Sequence, residues 1–508
     1  MGFNNLLFKR GYLITDTDVA GWDSPYSDFL LRSWKKETVE GLAVYHDPLV
    51  GFHQRGGGGI EVALVGTAID PVNGYADADK VVERLHSLYR VSEEGFLDYL
   101  DLLTGRFVLV VTSPDRSFVL QDAAGILGLF YDGSSDELLV SSHASLIALL
   151  TGRSISATVR DFIGTREYIN KRRHFPGLTT PHEGVRMLTP NTLLHLPGRT
   201  VERFFPRSPL ERGRITDELV EELATLFAAQ VDMLIEKHKL AVSITGGIDS
   251  RLTLASAVSH KDDILCFTYV MDETSRLDAE LASRLCDHLG VAHTIFRVDP
   301  ETCGEDLEEY LKVWSLNTSG MRSDAQGRLT KVFFDTYPAD RLHLKSNISE
   351  VARAAVRRYK KNFLPNSISP TTLAKIYGIN PAAPFVVDAF REYVEITDFK
   401  IERTFNYDIY DLFQWEYRMG TWQCLQVMDF DTSHNTVMLY NNRHVLKKML
   451  GVPVADQLRD RLHLRVMESL WPAVLEPPFL KDLKPRARTA AKTCLKDAKY
   501  RLERALPT

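Results

Sequence analysis

The period of the apolar positions changes near residue 206. Before it, short runs rich in Val, Leu and Phe occur at 61–66 (EVALVG), 106–111 (RFVLVV), 117–121 (SFVLQ), 128–131 (GLFY) and 137–141 (ELLVS). Turn residues at Ser113-Pro114-Asp115 and Asp132-Gly133-Ser134-Ser135 separate them. This pattern predicts antiparallel strands in sheets packed face to face, interrupted by helices near 77–88 and 93–103. A linker with two prolines and alternating charge spans 206–214 (PRSPLERGR). Beyond it, Leu219, Val220, Leu223, Leu226, Phe227, Val231, Leu234 and Ile235 recur at helical spacing over 217–237. A strand at 240–245 (LAVSIT), a helix at 249–259, a strand at 264–270 (ILCFTYV) and a helix at 277–289 follow. That alternation predicts a doubly wound parallel sheet. After about residue 300 the pattern is mostly helical. The expected fold is an α+β unit over 1–205, built on an antiparallel β-sandwich, and an α/β unit over 215–508 with a helical C-terminal part.

Composition narrows the functional classes. The 508 residues are 44% hydrophobic and 25% charged, which is globular rather than disordered composition. A net charge of −6 argues against a nucleic-acid field over the whole body. The basic tail 481–508 reads as a solvated helix docking on an acidic body, with a nucleic acid or carrier partner as the sharper alternative. No apolar run reaches the roughly 18 residues of a membrane span, so no membrane partner is expected. The cysteines Cys266, Cys286, Cys303, Cys424 and Cys494 are odd in number and form no C-x-x-C pair. This disfavours a disulfide framework or zinc knuckle and fits a reducing cytoplasm. The first residues, MGFNNLLFKRGYLITD, show no signal-peptide pattern. The glycine run after Arg55 has no following helix and no Gly-Lys, so it predicts a hairpin connection rather than a phosphate loop.

Chemistry concentrates at one corner. Strand 240–245 runs into Gly246-Gly247-Ile248-Asp249-Ser250, which opens a helix. Glycines let backbone approach a ligand closely, and a helix start offers free N–H groups and the positive end of a dipole. Thr245 and Ser250 add hydroxyls. Together these suit a pyrophosphate-sized anion. Asp249 repels phosphate unless it holds Mg²⁺, which bridges carboxylate and phosphate oxygens. Asp272-Glu273 lies just past the second strand, at the sheet edge where ligands bind in open α/β sheets, and the main chain of Val270 and Met271 there would suit adenine.

The run from Val242 through Ser243, Ile244, Thr245, Gly246, Gly247, Ile248, Asp249 and Ser250 resembles the S-G-G-x-D-S pyrophosphate loop of enzymes that cleave ATP to AMP and pyrophosphate. Gly105-Arg106-Phe107, then Gln121-Asp122-Ala123-Ala124-Gly125 and Leu129-Phe130-Tyr131, resembles the rhythm of an N-terminal-nucleophile glutaminase domain. This two-part layout is similar to that of asparagine synthetases and β-lactam synthetases, over nearly the whole chain. The resemblance implies ATP and Mg²⁺, a small-molecule or peptide carboxylate and an amine as substrates, and allows a homodimer. Glutamine-using members carry a cysteine at the mature N-terminus, whereas here Gly2 follows Met1 and no cysteine precedes Cys266. The N-terminal unit is therefore expected to lack glutaminase activity.

The family's Gly-rich acidic loop aligns with 342–351 (LHLKSNISEV), which has no glycine. The resemblance puts Glu350 at the second Mg²⁺ carboxylate and Asn347 at the substrate-facing position. The alternative is a surface glutamate in the first turn of a helix capped by Ser346 or Asn347. Glu416 falls where the family places a glutamate supporting the catalytic base; an amphipathic helix with a surface glutamate is the other reading. Lys481 or Lys484 resembles the family's late lysine, which contacts pyrophosphate and stabilises charge in the transition state. The expected activity is adenylation of a carboxylate followed by amide formation. A non-catalytic scaffold and a tRNA-modifying pyrophosphatase-loop enzyme are the alternatives.

Overall fold

A computed structural model describes residues 3–170, 174–298, 303–359, 364–365 and 367–480. Lys481, Lys484 and the basic tail lie outside them. Two antiparallel sheets occupy the first half and a parallel sheet the second, as the periodicity predicts. The first sheet runs Val185–Met187, Phe130–Asp132, Leu139–Ser141, Tyr12–Thr15, Leu42–His46, Lys35–Val39 in spatial order. The second runs Val201–Arg203, Thr192–His195, Ser117–Gln121, Thr104–Thr112, Ile60–Ile69, Phe52–Gly57. Ile14 and Val44 from the first and Val65, Val108, Val110 and Leu194 from the second share one apolar cluster. The glycine run after Arg55 closes the hairpin between Phe52–Gly57 and Ile60–Ile69. Gly58 and Gly59 supply the positive φ values, 68° and 77°, that a tight two-residue hairpin turn demands.

The parallel sheet runs His293–Arg297, Leu265–Val270, Lys239–Ser243, Arg341–Leu344, Thr436–Val437. Leu240, Ala241 and Val242 are fully buried, as a strand covered on both faces requires. The helix Asp217–Ile235 starts where Thr216 accepts a hydrogen bond from the Leu219 N–H and buries Leu223, Phe227, Val231 and Leu234. No helix among the described residues is long and apolar enough to cross a membrane.

The halves are locked by polar groups of the N-terminal motif. Both Arg106 terminal nitrogens donate to Asp431 at 2.6 Å. Asp122 accepts from Asn441 Nδ2 at 2.9 Å, and Trp415 Nε1 donates to the Ala123 carbonyl at 2.6 Å. One apolar cluster extends from Phe8 to Phe479. Around Glu416, where an amphipathic helix is one of the two sequence readings, the chain forms a π-helix over Gln414–Gln423. Such widened turns gather at functional sites.

Candidate active site

A cavity of about 730 Å³ opens at the carboxyl ends of the parallel strands, where ligands of open α/β sheets bind. Its volume falls within the roughly 300–1,000 Å³ of small-molecule sites. Ser243, Thr245, Gly247, Asp249 and Ser250 line it from one side and Lys345, Ser346, Asn347 and Glu350 from another. Loop positions alternate between cavity and core: Ile244, Gly246 and Ile248 are buried, while Ser243, Thr245, Gly247 and Asp249 are half-buried. Gly246 and Gly247 both have ordinary backbone conformations. Close packing requires Gly246, where a Cβ would meet Leu281 Cδ1 at 2.6 Å.

The loop satisfies its own donors. Ser250 Oγ accepts from the Thr245 N–H at 3.1 Å, Thr245 Oγ1 from the Gly247 N–H at 3.2 Å, and Asp278 from the Gly246 N–H at 3.1 Å. An arriving anion would exchange these weak internal bonds for charge-assisted ones. The Asp249 carboxylate accepts from Ser349 Oγ and from Arg353 Nη1. Arg353 is braced through Nε by Asp460 at 2.8 Å, and Ser349 Oγ also lies 2.9 Å from His463 Nε2. Burial lowers the His463 pKa to about 4, helped by Arg353, so this imidazole is neutral at neutral pH. Burial pushes the Glu350 carboxyl up, and the Asp249 charge adds to the shift. The two acids are thus within electrostatic reach.

That donor set suits Mg²⁺ in kind, because Mg²⁺ is held by one or two carboxylates plus substrate phosphates and keeps several waters. No cluster of three or more His, Cys, Asp or Glu side chains with ligand geometry exists among the described residues. A site completed by phosphate needs none. Glu350 stands in a short 3-10 turn, Ser349–Arg353, with no side-chain cap. Ile348 before it has φ 79°, a strained conformation for a β-branched residue.

Two sequence readings meet different surroundings. Val270 and Met271 do not line the cavity; the Val270 carbonyl accepts from the Val298 N–H at 2.9 Å and the Met271 N–H donates to Ser275 Oγ at 2.9 Å. The strand instead turns the rings of Phe267 and Tyr269 toward the cavity. Glu416 is also corrected. It lies fully buried outside the cavity, its oxygens accepting from Arg203 Nη1 and Nη2 at 2.7 and 2.8 Å. Burial among groups from the other half of the chain, not proximity to an amine, accounts for it. Arg418, its neighbour in sequence, stacks over the Trp422 ring at 3.8 Å.

Sequence reasoning missed Lys345, Ser349 and Arg353. Lys345 was findable, since it directly follows Arg341–Leu344 at the sheet's carboxyl edge. Its pKa is lowered to about 8 by burial, partly opposed by Asp429 and Glu350. Nothing local marks Arg353, whose partners lie 104 and 107 residues away.

A strand, a Gly-Gly turn and a helix start meet at the carboxyl edge of a parallel sheet, where ligands bind in open α/β folds. The segment 222–329, which contains that corner, matches the asparagine synthase family; the match spans about a fifth of the chain. That family is one of ATP-dependent amidating ligases. No curated protein matches the chain. Two solved structures are similar to it: glutamine phosphoribosylpyrophosphate (PRPP) amidotransferase from B. subtilis complexed with ADP and GMP, and the allosteric regulatory enzyme of purine biosynthesis. Each is 12% identical with a TM-score of 0.24, covering 60% of this chain and 64% and 62% of theirs. The chain thus spans less than two thirds of the length of either.

Proposed function

We propose that the protein is an AMP-forming carbon–nitrogen ligase that adenylates a substrate carboxylate and passes the acyl group to an amine or ammonia. The observation that carries this reading is the convergence of the Thr245–Ser250 loop, Asp249, Glu350 and Lys345 on one cavity. Residues 1–205 form a glutaminase-like unit of the N-terminal-nucleophile type, and 215–508 the synthetase unit. Ser243, Thr245, Gly246, Gly247, Ile248 and Ser250 form the phosphate corner, and Phe267 and Tyr269 offer a flat apolar face to adenine. Asp249 and Glu350 would hold Mg²⁺, which neutralises phosphate charge when bound.

The substrate carboxylate attacks the α-phosphorus, the bond to the bridging oxygen breaks, and pyrophosphate leaves. The amine nitrogen then attacks the acyl carbon of the acyl-adenylate, AMP departs, and the nitrogen loses a proton. Lys345 supplies positive charge where pyrophosphate charge builds, and the late lysine, Lys481 or Lys484, is proposed to add to it. Apolar walls exclude the water that would hydrolyse the adenylate. ATP–pyrophosphate exchange dependent on a carboxylic acid tests the reading, and its absence across a broad acid panel would sink it. The absence of glycine from 342–351 and the pairing of Asp249 with Arg353 favour a second reading, a nucleotide-binding scaffold. That reading expects ATP binding with no exchange.

Two predictions follow from these groups. Lys345 is an ammonium below its pKa of about 8 and neutral above it. Affinity for ATP, measured by calorimetry, therefore falls severalfold as pH rises from 7 to 9, and Lys345→Gln flattens the profile; an unchanged profile in that variant removes the assignment. With no cysteine among the first 265 residues, glutamine incubated with the protein releases no ammonia above the uncatalysed rate.

A further inference from the structure

Asp249 has a partner that the adenylation reading leaves without a task. Arg353 Nη1 donates to one Asp249 carboxylate oxygen and Ser349 Oγ to the other. Arg353 is gripped behind its fork, where Nε donates to Asp460 Oδ1 at 2.8 Å. Asp460 Oδ1 also accepts from Arg358 Nη2 at 2.8 Å, so Asp460 keeps a cation whichever way Arg353 turns. Among the described residues Arg353 Nη2 has no partner, and the side chain is 12% exposed rather than sealed in.

Ser349–Arg353 is a 3-10 turn, and side chains three residues apart eclipse in that geometry, which puts Arg353 on the side of Glu350. Glu350 and Asp249 both line the cavity. Around Asp249 the cations Arg353 and Arg358 balance the carboxylates Asp249 and Asp460. A divalent cation is drawn by carboxylate charge that is not already balanced, so the free protein offers it little. Once a dication and its phosphates stand at Asp249, the balance inverts. The guanidinium then meets repulsion from the metal and attraction from phosphate oxygens that fit its fork.

Resting on the adenylation reading, which names the anion, we propose that Arg353 is a phosphate-binding residue that changes partners. It neutralises Asp249 in the free protein and takes a pyrophosphate oxygen when metal-bound nucleotide enters. Nε stays on Asp460 as the pivot, and only the tip turns. Ser349, whose Oγ lies 2.9 Å from His463 Nε2, keeps Asp249 oriented after the exchange. The pairing of Asp249 with Arg353 is then the resting form of the site. Without Arg353 two affinities move in opposite directions: Asp249 becomes more attractive to a metal ion, and the corner less attractive to pyrophosphate.

Two binding measurements on the full chain test this, and neither uses a carboxylic acid or turnover. Mn²⁺, standing in for Mg²⁺, is titrated without nucleotide and followed by electron paramagnetic resonance. Pyrophosphate is titrated in the presence of a chelator and followed by calorimetry. Arg353→Met should tighten Mn²⁺ binding at least about fivefold and weaken pyrophosphate binding at least about fivefold. Arg353→Gln, which keeps a donor for Asp249 without the charge, should show both shifts, and adding Asp249→Asn to either variant should abolish the Mn²⁺ gain. A plain structural brace would weaken both affinities together or move neither, and either result overturns the proposal. So does a shift in only one of the two, or a Mn²⁺ gain that survives Asp249→Asn. Failure here is distinct from failure of adenylation. Opposite shifts in a protein without pyrophosphate exchange keep Arg353 and remove the ligase reading, whereas exchange with neither shift removes only this role for Arg353.

Discussion

Replacing Asp249 by Asn lowers ATP–pyrophosphate exchange by roughly 10²–10³-fold, the magnitude seen when one charge-stabilising group is removed from a site of this kind. The substitution is chosen because it keeps shape. The asparagine Oδ1 can accept from Arg353 and its Nδ2 can donate to Ser349 Oγ, whose own proton can go to His463 Nε2, so the turn Ser349–Arg353 keeps a partner for its hydroxyl and its guanidinium. What disappears is the charge. Arg353 then keeps only Asp460 as a carboxylate partner, and Glu350 loses the neighbour that helps push its carboxyl up. The Glu350 pKa therefore falls back toward the ordinary carboxylate value in the variant. Exchange is measured at saturating ATP and again at low ATP, alongside thermal melting. Melting within a few degrees of the parent, with exchange lost, supports the assignment. Exchange within about threefold of the parent under both conditions would remove Asp249 from the chemistry, and with it the adenylation reading.

The corner around Asp249 was legible because its signals are local. A run of apolar residues ending in Thr-Gly-Gly predicts a strand and a turn, and Asp217–Ile235 announces itself by spacing alone. Strands such as Lys35–Val39 (KKETV) were not legible, since only Val39 is buried and the strand exists by pairing with Leu42–His46 at the sheet edge. Val185–Met187 and Val201–Arg203 are too short to show alternation. At Gly246 the residue type was right for a different reason: packing against Leu281 needs the missing Cβ. Long-range electrostatics were invisible. Asp249 finds Ser349 and Arg353 about a hundred residues on, and no pattern in either segment encodes that meeting. The π-helix was invisible for a related reason. Its aromatics read as an amphipathic face, whereas its partners, such as Ala123 for Trp415, lie in the other half of the chain.

Glu416 is the position where sequence and structure point to opposite experimental outcomes. A glutamate beside the reacting amine would, on replacement by Gln, leave melting unchanged and abolish turnover. A buried structural partner behaves in reverse. Glu416 and Arg203 side chains are 0% and 1% exposed, joined by two bonds, with Asn191 Nδ2 adding a third contact to Glu416 at 3.2 Å. Arg203 also donates to the Thr397 and Phe205 carbonyls, so the guanidinium cannot leave when its partner is neutralised. Glu416→Gln strands a buried charge and costs roughly 3–5 kcal/mol, a melting shift on the order of 10 °C for a unit of this size. The cost comes from the uncompensated cation rather than from lost attraction. Replacing both partners with apolar residues of similar length, Arg203→Met with Glu416→Leu, should therefore recover most of the stability that either change alone removes. Calorimetric melting of the four proteins decides the matter. Exchange measured well below the lowest melting point should stay within a few-fold of the parent for the double variant, because the ion pair fastens the π-helix to the N-terminal half without touching the cavity. A double variant that melts like the parent and keeps exchange, yet has lost the AMP release that depends on the amine, would return Glu416 to the active site.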